Sequence, residues 1–315
     1  MNNILHRKII GIGIPTILLL MLLNPSIFAQ SNSPYLTNGI VVAEFPMHFT
    51  DGFMFITVPV IDTDIYGKAI TLYRSFILDP AASNEGSFMP DDSNVSITGL
   101  RRFYFPISSQ RTLIADLVPT LAKGIYKHAD TSFFGVLGYA FIRRYITVIN
   151  FSERTVTFYS TDENTPEWNS RLDTSAIFVP YLDDAILHHC NCQFPTMWFE
   201  AKAPPLKEGH VHISLADRQS VIYTQAIDPR TEKILDAQWH QDSIAGNKKS
   251  GLNLAKFEIG GVNIAKRNPH RFVAELPPIF RNLNIFIMGT VAIDVLRTFP
   301  AIIIDPTRSR VILIR

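Results

Sequence analysis

Two aspartates in this chain stand where they could do chemistry together. Asp79 follows the apolar run Phe76-Ile77-Leu78, Asp228 follows Gln225-Ala226-Ile227, and a proline comes after each. Downstream of each lies a triplet of two hydrophobic residues and a glycine, Val136-Leu137-Gly138 and Ile287-Met288-Gly289. Subtracting positions gives 59 residues from Asp79 to Gly138 and 61 from Asp228 to Gly289. A lobe of about 150 residues present twice accounts for this spacing. Two matched lobes, each ending a strand on an aspartate, would bring two carboxylates face to face. Like charges a few ångströms apart cannot both ionise, so such a pair holds one proton and serves as base and acid together.

The elements that must position these residues read as strands. In the first lobe, residues 53–60 and 69–72 form a hairpin that leads through 75–79 to Asp79. In the second, residues 210–215 and 220–224 lead through 226–228 to Asp228. Residues 256–264 read as strand, tight Gly260-Gly261 turn and strand, with 96–100 as a weaker first-lobe counterpart. Residues 113–122 and 292–298 read as short helices. Pro166, Pro180, Pro195, Pro204 and Pro205 punctuate a connection over residues 161–205, with room for a short linking strand. The expected organisation is a signal peptide over 1–29, an N-terminal lobe over 30–160, the connection over 161–205 and a C-terminal lobe over 206–315. The fold class is mostly β, with two similar lobes related by internal duplication and a cleft between them.

Composition narrows the partners. Lys and Arg number 29 against 28 Asp and Glu, a balance that argues against nucleic acid as the main partner. With 47% hydrophobic residues, 22 of them Phe, the chain can bury a large core. At the N-terminus, His6-Arg7-Lys8 precedes the apolar residues 9–23, and Ser26-Ile27-Phe28-Ala29 ends in a small residue. This order of charge, apolar run and small residue predicts a signal peptide cut after Ala29, a secreted or periplasmic protein, and no stable membrane span after cleavage.

The residues then resemble a known family. Two aspartates at strand ends, each followed by a hydrophobic-hydrophobic-Gly triplet and a final Val/Ile-rich strand pair, are similar to the pepsin and retropepsin aspartic peptidases. Residues 134–142, Phe-Gly-Val-Leu-Gly-Tyr-Ala-Phe-Ile, resemble the retropepsin-like pattern of Gly, two aliphatics, Gly and a helix start. The likeness spans roughly 53–159 and 208–315. It implies a two-lobed β fold with a substrate cleft, in which Asp79 and Asp228 share a proton and activate water, while Ser83, Arg230 and Thr231 line the cleft.

The chain departs from the family motif, Asp-Thr/Ser-Gly, at both turns. It reads Asp79-Pro80-Ala81-Ala82-Ser83 and Asp228-Pro229-Arg230-Thr231-Glu232. Pro80 and Pro229 each remove a hydroxyl and a backbone N–H from the turn. Ala81 and Arg230 add a Cβ where glycine packs closely, and Arg230 would hold a carboxylate ionised. The expected function is therefore an aspartic-peptidase-like protein with catalysis lost or weakened, which binds a peptide or protein ligand in the interlobe cleft. The alternative is an active aspartic endopeptidase using Asp79 and Asp228.

Other candidates carry less. Cys190 and Cys192, in His188-His189-Cys190-Asn191-Cys192, suit a disulfide or a soft metal, and are read as a surface cluster between the lobes. His210 and His212 are read as surface polar groups at a strand start. No metal and no cofactor is expected.

Overall fold

The computed structural model describes residues 34–63, 66, 68–89, 100–107, 111–120, 133–162, 165–187, 192–228, 251–266 and 270–315. The predicted signal peptide and residues 96–99 lie outside them, and among the described residues no helix is long and apolar enough to cross a membrane.

The first lobe runs Val41–Thr50 (β1), Phe53–Thr63 (β2), Ala69–Asp79 (β3), Gly86–Phe88 (β4), Arg101–Pro106 (β5), Thr112–Pro119 (β6), Phe133–Gly138 (β7), a one-turn helix Tyr139–Ile142 (α1), Tyr145–Asn150 (β8) and Thr155–Ser160 (β9). After Ala176–Pro180 (β10) the second lobe runs Leu182–Leu187 (β11), Cys192–Lys202 (β12), Gly209–Ile213 (β13), Val221–Tyr223 (β14), Gly251–Asn253 (β15), Glu258–Ile259 (β16), Val262–Asn263 (β17), His270–Ala274 (β18), Ile287–Val291 (β19) and the helix Ile293–Leu296 (α2). Ala301–Asp305 (β20) and Arg310–Ile314 (β21) close the chain.

Both lobes follow one path. β1, β2 and β3 are antiparallel neighbours, β3 pairs in parallel with β7, and β4 pairs antiparallel with β7 and parallel with β6. In the second lobe β11, β12 and β13 are antiparallel neighbours, β13 pairs in parallel with β19, and β14 pairs antiparallel with β19 and parallel with β18.

The register fixes which residues correspond. Gly135 lies between Phe76 and Phe88, and Gly289 between Val211 and Ile222. Gly289 therefore matches Gly135, not Gly138, an offset of 289 − 135 = 154. The same 154 carries Gly138 to Ala292, and these two are the extended N-caps of α1 and α2. It also carries Val148 to Ile302 and Ile149 to Ile303. In the sheet joining the lobes, Ile149 pairs with Ile302 and Val148 with Ile303. Exchanging the lobes maps each pair onto the other, which is the signature of an internal two-fold. This sheet runs β10-β21-β20-β8-β9-β1 and continues into the first lobe.

Two readings of the sequence are corrected here. Residues 113–122 are not helical over their described part, because Leu113, Ala115 and Leu117 are buried while Thr112 and Ile114 are exposed, a period of two that belongs to strand β6. The span 161–205 holds, besides the linking strand β10 in the joining sheet, the β11–β12 hairpin of the second lobe. Residues 292–298 do hold helix α2, and 256–264 form the β16–β17 hairpin, whose Gly260 and Gly261 both take positive φ.

Phenylalanines fill the first lobe. Phe76, Phe88, Phe103, Phe105, Phe134 and Phe141 meet mostly edge to face, a geometry that aligns positive ring edges with negative ring faces.

Candidate functional site

The outer half of β3 alternates between exposed and half-buried residues, and its last five residues, Ser75 to Asp79, are all buried. The continuous apolar run Phe76-Ile77-Leu78 is covered on both faces, so the strand carries Asp79 into the junction between the lobes. There the chain turns: the Ala82 N–H donates to the Asp79 carbonyl at 3.1 Å and the Ala81 N–H to Asp79 Oδ1 at 3.2 Å.

In the second lobe β13 ends at Ile213, opposite Val291, as Leu78 lies opposite Leu137. The residue that matches Asp79 is therefore Ser214, which is fully buried. Beyond it the frames stay matched. The Tyr139 N–H donates to Ala82 O at 2.6 Å and the Ile293 N–H to Asp217 O at 3.3 Å, so Asp217 matches Ala82. The second turn accordingly reads Ser214-Leu215-Ala216-Asp217 and carries its carboxylate three residues late. The Asp217 N–H donates to Ser214 Oγ at 3.1 Å.

Three contacts tie the turns across the junction. The Leu215 N–H donates to Asp79 Oδ1 at 3.2 Å, the Thr196 hydroxyl of β12 donates to Pro80 O at 2.5 Å, and the Arg218 guanidinium lies 4.1 Å above the Phe53 ring. The Ser214 hydroxyl favours the ionised form of both the Asp79 and the Asp217 carboxyl.

Electrostatics follow from this crowding. Burial first, and then the like charge of Asp217, pushes Asp79 up to about 6, against the opposing pull of its hydrogen bonds from Ala81, Ser214 and Leu215. Burial of its carboxyl raises Asp217 too, although the residue keeps one side in solvent. Asp79 opens into a cavity of about 370 Å³ between the lobes, walled by Ala82, Ser83 and Val136 on one side and Phe194, Ile279 and Phe280 on the other.

The site residues expected from sequence divide accordingly. Asp79 and Ser83 share this cavity. Asp228 does not hold the position opposite Asp79: it follows the short 3-10 turn Thr224–Ala226 beyond β14, and β14 corresponds to β4, so Asp228 lies one element past the site. The shared Asp-Pro pair points 228 − 214 = 14 residues past the matching position, because it marks a turn by composition and not by strand pairing. Aligned with Gly135, the run Val211-His212-Ile213 points directly at Ser214. Arg230, Thr231 and Cys190 lie outside the described residues.

His212 is not a surface group. It is buried between Trp198 and Phe280, its Nε2 lies 2.7 Å from Thr290 Oγ1, and Thr290 in turn meets the Tyr223 hydroxyl at 2.8 Å. Burial pushes His212 down to about 4, so it is neutral over most of the pH range. His210 is half-buried. Among the described residues no group of three His, Cys, Asp or Glu side chains is placed to hold a metal.

No protein-family model matches the chain, and no curated protein matches it. Among solved structures, the chain is similar to an aspartic proteinase from Irpex lacteus, at 13% identity over 86% of this chain and 96% of that one, with a TM-score of 0.46. It is also similar to basic 7S globulin from soybean, at 9% identity over 86% of this chain and 96% of that one, with a TM-score of 0.47.

Proposed function

We propose that the chain is a secreted or periplasmic aspartic-peptidase-like protein that binds a peptide or protein segment in the cleft between its lobes and has lost peptide-bond hydrolysis. One observation carries this reading: the position across the junction from Asp79 holds Ser214. Activating water between two lobes needs a base on one side and an acid on the other. A serine hydroxyl donates and accepts hydrogen bonds but does not ionise in the working range, so it cannot share a proton as a second carboxylate would.

What remains suits binding. The cavity has the size of a ligand site and combines apolar walls from Val136, Phe194 and Phe280 with a few polar groups from Asp79, Ser83 and Asn84. Such a lining matches an extended peptide with apolar side chains and a backbone to be hydrogen-bonded.

The endopeptidase alternative keeps one form, with Asp217 in place of Asp228, because Asp217 is the carboxylate whose charge reaches Asp79. Incubation with unfolded protein substrates from about pH 3 to pH 7, the range in which carboxylates titrate, separates the two. The binding reading expects no cleavage at any pH. Cleavage that disappears in both Asp79→Asn and Asp217→Asn, with each variant still folded, would replace it by the peptidase.

A further inference from the structure

Behind the second-lobe wall of the cavity lies a polar pair that the fold leaves unmatched. Trp198 on β12 and His212 on β13 stand directly opposite each other in the ladder, with ring centroids 5.5 Å apart. Trp198 is fully buried and His212 nearly so. Among the described residues, neither the Trp198 Nε1–H nor His212 Nδ1 has a hydrogen-bond partner. Buried donors and acceptors are nearly always paired, because an unpaired one gives up its hydration for nothing. Two in one aromatic cluster mark a place for a further polar group.

The other nitrogen of His212 is engaged, since Nε2 meets Thr290 Oγ1 and Thr290 meets the Tyr223 hydroxyl. Thr290 and Tyr223 bring one hydroxyl proton each. When the His212 Nε2–H donates to Thr290 and Thr290 donates to Tyr223, Nδ1 keeps a lone pair. The cluster then offers a donor at Trp198 and an acceptor at His212.

Phe280 lies on this pair. Its ring stands edge-on to both, 5.1 Å from His212 and 5.7 Å from Trp198, and it is 5.9 Å from Phe194. It belongs to the 3-10 turn Pro278–Asn282 and not to a sheet, and its backbone bonds, from the Phe280 N–H to Pro277 O and from the Leu283 N–H to Phe280 O, stay local. Phe194, Ile279 and Phe280 also wall the cavity opposite Ala82 and Ser83, and Ile279 is half exposed. The ring that lines the cleft is therefore the ring that covers the two unpaired nitrogens, and it can swing aside without breaking a strand pairing.

We infer that Phe280 plugs an aromatic slot, and that this slot is the subsite for a tyrosine side chain of the peptide held in the cleft. This rests on the peptide-binding reading above. A phenol ring has the size of the ring it displaces and keeps the edge-to-face contacts with Trp198 and Phe194. Its hydroxyl adds what Phe280 lacks: an oxygen that accepts from the Trp198 Nε1–H and a proton to donate to His212 Nδ1. A phenylalanine side chain fills the slot but leaves both nitrogens unpaired. A charged side chain would trade its hydration for walls that include Ala185, Leu276, Leu283 and Ile287. Burial keeps His212 neutral, which preserves the acceptor.

Two mixtures of blocked hexapeptides built from uncharged residues are the probe, identical except that one carries tyrosine and the other phenylalanine at a fixed central position. Retention by the full protein is measured by equilibrium dialysis. The wild type should retain the tyrosine mixture at least about tenfold better, which is what one well-made hydrogen bond to an otherwise unpaired group supplies. Trp198→Phe, without the indole N–H, should lose most of this preference. Phe280→Tyr carries its own hydroxyl into the slot, so it should retain the two mixtures to within about twofold and unfold at a higher urea concentration than the wild type. Equal retention of both mixtures by the wild type would keep the peptide reading and overturn the tyrosine slot. A preference that survives in Phe280→Tyr, or a lower urea midpoint in that variant, would overturn the slot as well. Retention of neither mixture by the wild type would reject peptide binding, and the inference would fall with it.

Discussion

The turn after β3 and the turn after β13 share a backbone and differ in where they keep their acid. Asp79-Pro80-Ala81-Ala82 sets its carboxylate at the strand end, whereas Ser214-Leu215-Ala216-Asp217 sets a hydroxyl there and its carboxylate three residues on, where solvent reaches one side. The matched bonds from Tyr139 to Ala82 and from Ile293 to Asp217 persist, because they use only N–H and C=O. The difference teaches that the duplicated frame is held by backbone register and glycine, while the side chains at the strand ends can change without moving it. Seating Ser214 opposite Asp79 also spares the junction a second fully buried carboxyl.

The shared frame can be broken at its glycines, and this is the largest expected effect. A Cβ on Gly135 would come 2.1 Å from the Ser87 carbonyl and one on Gly289 2.2 Å from the Val221 carbonyl, in both cases backbone held in a sheet. Gly135→Ala and Gly289→Ala should each cost roughly 3 kcal/mol or more in urea unfolding. If one is tolerated and the other is not, the two positions are not equivalent.

The two lobes should also differ in the sign of their pH dependence. Asp79 has its ordinary value of 3.8 in the unfolded chain and about 6 in the folded one. The folded state therefore binds the extra proton, and stability falls as pH rises from about 4 to 6. His212 runs the other way, from 6.5 unfolded to about 4 folded, so the unfolded state takes the proton first and stability rises as pH climbs from about 4 to 6.5. Each amounts to about 3 kcal/mol at most, since one pKa unit is worth about 1.4 kcal/mol. They oppose each other over nearly the same window, which leaves a shallow wild-type profile. The unfolding free energy measured across pH 4 to 7 should rise with pH in Asp79→Asn and fall in His212→Gln. Slopes of the same sign in the two variants would break this contrast.

Smaller effects test the ties between the turns. Thr196→Val leaves the Pro80 carbonyl without its donor in a buried place and should cost about 1–3 kcal/mol in urea unfolding. Arg218→Ala removes the contact with Phe53 and should cost about 0.5–1 kcal/mol.

Much of the architecture was legible in the sequence because it rests on local signals. Phe76-Ile77-Leu78 before Asp79 marks a strand buried on both faces, and residues 256–264 announce their hairpin through Gly260-Gly261. The strand β6 was legible too, in the alternation of Leu113, Ala115 and Leu117 with Thr112, Ile114 and Asp116. The second half of the site was hidden for a different reason. Nothing in Ser214-Leu215-Ala216-Asp217 announces a site, and only pairing between strands some eighty residues apart, Val211 against Gly289, shows that Ser214 stands where Asp79 does. Asp228 was conspicuous because Asp-Pro is a common turn, not because of where the strands place it. The hydrogen-bonded chain from His212 through Thr290 to Tyr223 is likewise a product of packing.

The central claim is that Ser214, and not Asp228, occupies the seat across from Asp79. The titration of the Asp79 carboxyl, followed by carbon NMR in the wild type, Ser214→Asp and Asp228→Asn, tests it most directly. Asp79 should titrate near 6 in the wild type and unchanged in Asp228→Asn, while Ser214→Asp should split it into two coupled steps, one below and one above that value, as two close carboxyls must. A large shift in Asp228→Asn, with Ser214→Asp leaving Asp79 where it was, would contradict the account.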